Sequence, residues 1–241
     1  MQAPTWRTVS SARYRSIPME PTVVDEPPVE WDSETALRYW DNRHAAVDEW
    51  RSGGNITFDR GTNAIVYAIR LARITEAMGS VTSESAPLRV LDAGCGRGYF
   101  ARGMSSFGHD VDAIDASPNA IEHCRTVSVA GERYAVSTLS QWQPSCLYDV
   151  VFSIDVLFHI LDDDEWRASV VNLASMVRLG GRLLLADHSA EEDKVWNPSQ
   201  KTRARARYVD LVVGQGFADL GFHANGGPRD PIGLHAFGRV A

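Results

Sequence analysis

Seven residues constrain the architecture most: Asp92-Ala-Gly94-Cys-Gly96-Arg-Gly98. They lie directly between a short apolar run over 88–91 and a helical pattern in which Phe100, Met104 and Phe107 recur at i, i+4 and i+7. Glycine adopts positive φ and lets a ligand approach the main chain, while the helix that follows offers free N–H groups. Such a strand–loop–helix unit belongs to a parallel sheet, with its loop at the carboxyl end of the strand. The downstream pattern agrees. Apolar runs at 111–114, 134–136, 149–154 and 182–186 read as strands. They alternate with helices, one opened by Ser117-Pro118 as N-cap and N1, another carrying Trp166, Val170, Leu173 and Val177 up to Gly180-Gly181. A basic helix from Lys201 to about Val213 follows. Strands near 217–223 and 232–240, joined by a turn-rich loop, then form an antiparallel hairpin at the sheet edge. The predicted fold class is α/β, a doubly wound and mostly parallel sheet with helices on both faces.

What precedes the loop is different in kind. Residues 1–32 carry Pro4, Pro18, Pro21, Pro27 and Pro28 with little periodicity, and read as a poorly ordered arm. A helix is expected over 34–50, then a break at Gly53-Gly54, then a second helix over 64–78. The expected division is therefore an arm (1–32), a helical lid or extension (33–80) and a sheet domain (81–241). At 241 residues the chain can bury a large core without staples. Three cysteines, none in a C-x-x-C pair, argue against a disulfide framework or thiolate zinc site and for a reducing, cytoplasmic setting. The net charge of −7 argues against nucleic acid or an anionic membrane as partner. No apolar run approaches the roughly 18 residues of a membrane helix.

Asp115 ends the second strand, 21 residues after Gly94, where a carboxylate can accept two hydrogen bonds from a ribose diol. The spacing G-x-G-x-G, with Tyr99 after Gly98, departs from the dinucleotide fingerprint, and the Gly-Lys-Ser/Thr of a P-loop is absent. The segments V-L-D-A-G-C-G-R-G-Y-F, D-A-I-D-A-S-P and D-V-V-F-S-I-D-V-L-F-H-I, in that order, resemble the class I S-adenosylmethionine-dependent methyltransferases of small-molecule type. The resemblance covers about 88–187 and implies a seven-stranded, Rossmann-like sheet whose last hairpin strand is antiparallel. It implies S-adenosylmethionine as cofactor and S-adenosylhomocysteine as product. Asp92, Gly94, Cys95, Gly96 and Gly98 would wrap the methionine part, and Asp115 with Ala116 would hold the ribose. Thr138 or Ser137 stands where the family often has an acid facing adenine, so Leu139 and backbone groups would hold the base. Ser153, Ile154 and Asp155 would line the methionine end.

The sulfonium is already a strong methyl donor, so the protein must supply orientation and, for a hydroxyl acceptor, a base. Two histidines follow strand ends, His159 in D-V-L-F-H and His188 in L-L-A-D-H, and either suits that role or simple packing. Trp40, His44, Tyr67 and Tyr208 are candidate acceptor contacts, from the extension and from the helix after the fifth strand. The acids at 162–165 read as a helix cap, and Arg203, Arg205 and Arg207 as a solvated face. Asp155 and Asp187 are too few for a magnesium site, so no metal is expected. The reading is O-methylation of a hydroxyl on a natural product or sugar. N-methylation of a small amine, or a non-catalytic module holding the cofactor, are the alternatives, and a homodimer is left open.

Overall fold

Strand β1 (Arg89–Ala93) lies in the interior of the sheet, where its apolar residues find neighbours on two sides. In the computed structural model, which describes residues 31–81, 87–129, 131–226 and 232–240, β1 pairs in parallel with β2 (Asp110–Asp115) and β4 (Tyr148–Ser153). Outward from these lie β3 (Glu132–Val136) on one side and β5 (Val177–His188) on the other. The hairpin of β8 (Phe217–Ala224) and β9 (Ile232–Arg239) closes the sheet, with β9 antiparallel to β5, giving the order β3-β2-β1-β4-β5-β9-β8. This is the seven-stranded, mostly parallel, Rossmann-like sheet expected of the methyltransferase fold.

Alternation along the strands sorts the core into two layers. Val90, Val150, Phe152, Leu184 and Ala236 face α3 (Arg60–Met78), α4 (Tyr99–Ser106) and α5 (Pro118–Val127), packing on Ile74, Met78, Met104 and Ile121. Leu91, Val151, Leu183 and Leu185 face α6 (Asp163–Ser175) and α7 (Arg205–Val213), meeting Trp166, Val170, Leu173 and Tyr208. The helix α1 (Ser33–Ala46) and the single turn α2 (Glu49–Ser52) lead into α3.

Several boundaries differ from the expected ones, each for a local reason. The single helix expected over 34–50 is two: α1 ends at Ala46, and the Asp48 side chain accepts the Trp50 and Arg51 N–H groups to start α2. Asp59 caps α3 at Arg60, ahead of the expected start at 64. The α6 helix stops at Ser175, so Val177 begins β5 and Gly180-Gly181 lie inside the strand region. The basic helix begins only at Arg205. Residues expected to open it belong instead to an unforeseen antiparallel hairpin, β6 (Lys194–Asn197) and β7 (Gln200–Thr202). Strands of three and four residues are too short to show alternation. Nearly all of the expected arm (residues 1–30), the linker residues 82–86 and the hairpin loop 227–231 lie outside the described residues.

Candidate active site

The carboxyl ends of β1, β2, β3 and β4 open onto a cavity of about 490 Å³, roofed by α1. Its floor is the glycine loop. The Gly94 and Cys95 N–H groups both donate to the Ile114 carbonyl, at 2.8 and 2.9 Å, which folds the loop back over β2. Gly94 has φ +85°, and a Cβ there would overlap the Val156 side chain. Gly96 has φ +50°, and a Cβ would lie 3.3 Å from the His44 ring. Backbone alone fits these two positions. Asp115 accepts the Gly96 N–H through Oδ2 and the Ser117 N–H through Oδ1, both at 2.8 Å. Each carboxylate oxygen keeps lone-pair capacity for the cavity beside it.

Gly94, Cys95, Gly96, Asp115, Ala116, Thr138, Leu139 and Asp155 come together on the wall, as do Trp40, His44 and Tyr67 from the N-terminal helices. Asp92, Gly98 and Ser153 sit behind it. Asp92 is completely buried, and that burial pushes its carboxyl up to about 8, opposed by the Ala101 N–H and reinforced by the Asp115 charge. Asp155 is the one non-glycine residue at positive φ (+59°) among the described residues, and it pairs with Arg70 of α3. Its other oxygen, Oδ1, is buried with no hydrogen-bond partner among the described residues. A strained backbone holding a half-satisfied carboxylate at a cavity is the arrangement expected where a ligand completes the site.

The two candidate bases part company. His159 lies in the wall, in a short 3-10 turn (Leu157–His159), with its ring centroid 4.4 Å from that of Trp40. Its Nδ1 is 2.7 Å from the Ser199 carbonyl oxygen. A carbonyl only accepts, so Nδ1 carries the hydrogen and Nε2 is left with its lone pair. Burial holds the ring's pKa down to about 4, with the Ser199 bond working the other way. His188 stands outside the cavity wall. Its Nδ1 lies 2.9 Å from the Thr202 hydroxyl and 3.2 Å from Asp187, and its ring stacks on Trp196. Tyr208 is also outside, wholly buried, and donates to Asp187 at 2.6 Å.

The structure adds contacts that the sequence did not give. Trp50, Tyr99 and Phe100 join Tyr67 in an aromatic group on the wall, with the Tyr67 and Phe100 rings stacked at a centroid distance of 5.3 Å. They come from three helices, so no local spacing links Trp50 and Tyr67 to the adjacent Tyr99 and Phe100. Asp41 of α1 accepts from the Ser117 hydroxyl (2.6 Å), the Asn119 N–H (3.1 Å) and the Asn119 side chain (2.8 Å), docking α1 onto the start of α5. Arg97 donates to the His44 carbonyl. Arg203, expected on a solvated face, is fully buried. Asp162 caps α6 through the Glu165 N–H, as expected, and both also border the cavity.

A model of the methyltransferase domain matches residues 67–217. The chain belongs to that family. Within it, this methyltransferase domain is 31% identical over 124 residues to the ubiquinone biosynthesis O-methyltransferase of Rickettsia felis, covering 50% of each protein. It is 30% identical over 146 residues to nodulation protein S of Rhizobium tropici, covering 59% of this chain and 56% of that one. The chain thus spans about half the length of the curated relatives it matches. Among solved structures, the N-methyltransferase NodS of Bradyrhizobium japonicum with S-adenosylhomocysteine superposes with TM-score 0.60 at 19% identity, over 85% of this chain and 98% of that one. Magnesium protoporphyrin IX methyltransferase of Synechocystis gives 0.61 at 18%, over 85% and 97%. At those identities the likeness is one of fold.

Proposed function

We propose that this protein transfers a methyl group from S-adenosylmethionine to a hydroxyl of a small molecule, with His159 accepting the proton. The observation that carries the reading is the cavity itself. The glycine loop and the Asp115 carboxylate share the cavity wall with an imidazole whose Nδ1 is engaged by the Ser199 carbonyl, which leaves the Nε2 lone pair to an acceptor. The residues fit the cofactor. Asp115 suits the ribose diol, Leu139 with Thr138 an adenine, and the loop N–H groups and Asp155 the methionine end, as the family membership leads one to expect. When bound, S-adenosylmethionine supplies an electrophilic methyl on a sulfonium. The chain's own part is then to exclude water with α1, to orient the acceptor against the aromatic wall, and to take the hydroxyl proton at His159 Nε2.

The O-methyltransferase relatives favour a hydroxyl acceptor. A second reading, N-methylation of a small amine, is favoured by the NodS likeness, and the same imidazole would then only orient the nitrogen. The cofactor half is tested by calorimetric titration with S-adenosylhomocysteine. Wild-type protein binds, and Asp115→Ala weakens binding by about 10-fold or more through the loss of charge-assisted hydrogen bonds. Absence of binding to wild type would sink both the enzyme and the non-catalytic module.

A further inference from the structure

The hairpin between β5 and α7 meets the His159 turn at more than one point. The Ser199 carbonyl faces Nδ1 at 2.7 Å. The buried Arg203 donates to the Ile160 carbonyl at 2.6 Å, the Leu161 carbonyl at 2.8 Å and the Lys201 carbonyl at 3.0 Å, and also reaches Asp163. That guanidinium staples the end of β7 to the two residues that follow His159, and a buried charge is held only where its donors are satisfied in this way. The turn between β6 and β7 has its own organiser. Asn197 Oδ1 accepts both the Ser199 N–H and the Ser199 hydroxyl, each at 2.9 Å, while its Nδ2 donates to Gln200 Oε1 at 2.8 Å. This Asx-type turn holds Ser199 through Asn197, which Gln200 in turn anchors.

We propose that Asn197 is a positioning residue for His159: by fixing Ser199 in the turn, it aims the Ser199 carbonyl at Nδ1 and leaves Nε2 bare toward the cavity. The proposal rests on the reading of His159 as proton acceptor, and it adds the device that chooses which nitrogen accepts. The ring's flanks, Trp40 and Phe158, offer no side-chain acceptor that would make the same choice. The charged groups felt by the ring, Arg43 of α1 and Asp187 of β5, act at longer range and do not select a nitrogen by hydrogen bonding. An imidazole in the wrong tautomer would present a hydrogen, not a lone pair, to an acceptor hydroxyl.

Nitrogen-15 spectra of the histidine side chains at neutral pH test this, with His159 assigned by its loss in His159→Gln. Wild type is expected to show the Nδ1–H tautomer. In Asn197→Ala the tautomers mix, and kcat falls by about 10-fold with cofactor KM changed less than about twofold, as misorientation predicts. Asn197→Asp keeps the accepting oxygen and is expected to restore both the tautomer and most of the rate. An Nε2–H ring in wild type, or an unchanged tautomer in Asn197→Ala, overturns the proposal. If the tautomer responds as stated while His159→Ala turns over at the wild-type rate, the positioning device stands and the proton-acceptor reading fails.

Discussion

His159 and His188 are the same residue type at equivalent strand ends, and their surroundings give them opposite prospects. His188 shares its Nδ1 with Asp187 and Thr202 beside Trp196, whereas His159 gives Nδ1 to a backbone carbonyl and lines the cavity. Replacing His159 by Ala is therefore expected to lower turnover at least about 100-fold, with cofactor affinity kept. The same change at His188 should leave the chemical step intact and act through stability. A base must be unprotonated to act, so the rate falls as pH drops through its pKa. With His159 held near 4 by burial, the acid limb of kcat/KM lies well below the 6.5 of a free imidazole. A limb centred at or above 6.5 would show that another group limits the rate. Sequence could not separate the two histidines, because what separates them is a contact from Ser199, forty residues along the chain from His159.

At the scale of elements, the loop and its flanking strands were legible because their information is local. Glycines punctuate, strands alternate, and Ser117-Pro118 opens α5 as its N-cap and N1 residues. The β6–β7 hairpin was not legible, since short strands with mixed polarity carry no period. The docking of α1 was not legible either. Asp41 lies mid-helix, and its three donors belong to Ser117 and Asn119, far away in sequence. That contact predicts a specific weakness. Asp41→Ala removes acceptors for three donors at the α1–α5 junction, and is expected to loosen α1 and raise the dissociation constant for S-adenosylhomocysteine about 5- to 30-fold, while the sheet core stays intact. Wild-type affinity in that variant, measured by calorimetry, would show that α1 does not help retain the cofactor.

For the whole molecule, the buried titratable groups set how stability depends on pH. His159 and His235 are both held near 4, chiefly by burial, so the unfolded chain takes up their protons first and stability is lost as pH falls from 6.5 towards 4. Asp92 has the opposite sign. Its carboxyl, raised to about 8 by burial, binds its proton more tightly in the folded state, so its contribution is lost as pH rises from about 4 to 8. Two histidines outweigh one aspartate below 6.5, and Asp92 acts without them above it. The melting temperature is therefore expected to peak near pH 6.5, and Asp92→Asn should flatten the decline between 6.5 and 8. A decline that persists unchanged in Asp92→Asn would contradict this assignment. Saturating S-adenosylhomocysteine, at about 100 times its Kd, should add about 2.7 kcal/mol of stability. For a chain of this size, that gain is an increase in melting temperature of roughly 5–10 °C.

Methyl transfer itself is tested by identifying its product. The protein is incubated with methyl-labelled S-adenosylmethionine and a small-molecule extract of its own source organism, and the labelled product is isolated and its methylated atom identified. Label is expected on an oxygen of a small organic product, formed by wild type and reduced at least about 100-fold with His159→Ala. No labelled product despite demonstrated binding of S-adenosylhomocysteine would contradict it and leave a module that holds the cofactor without using it.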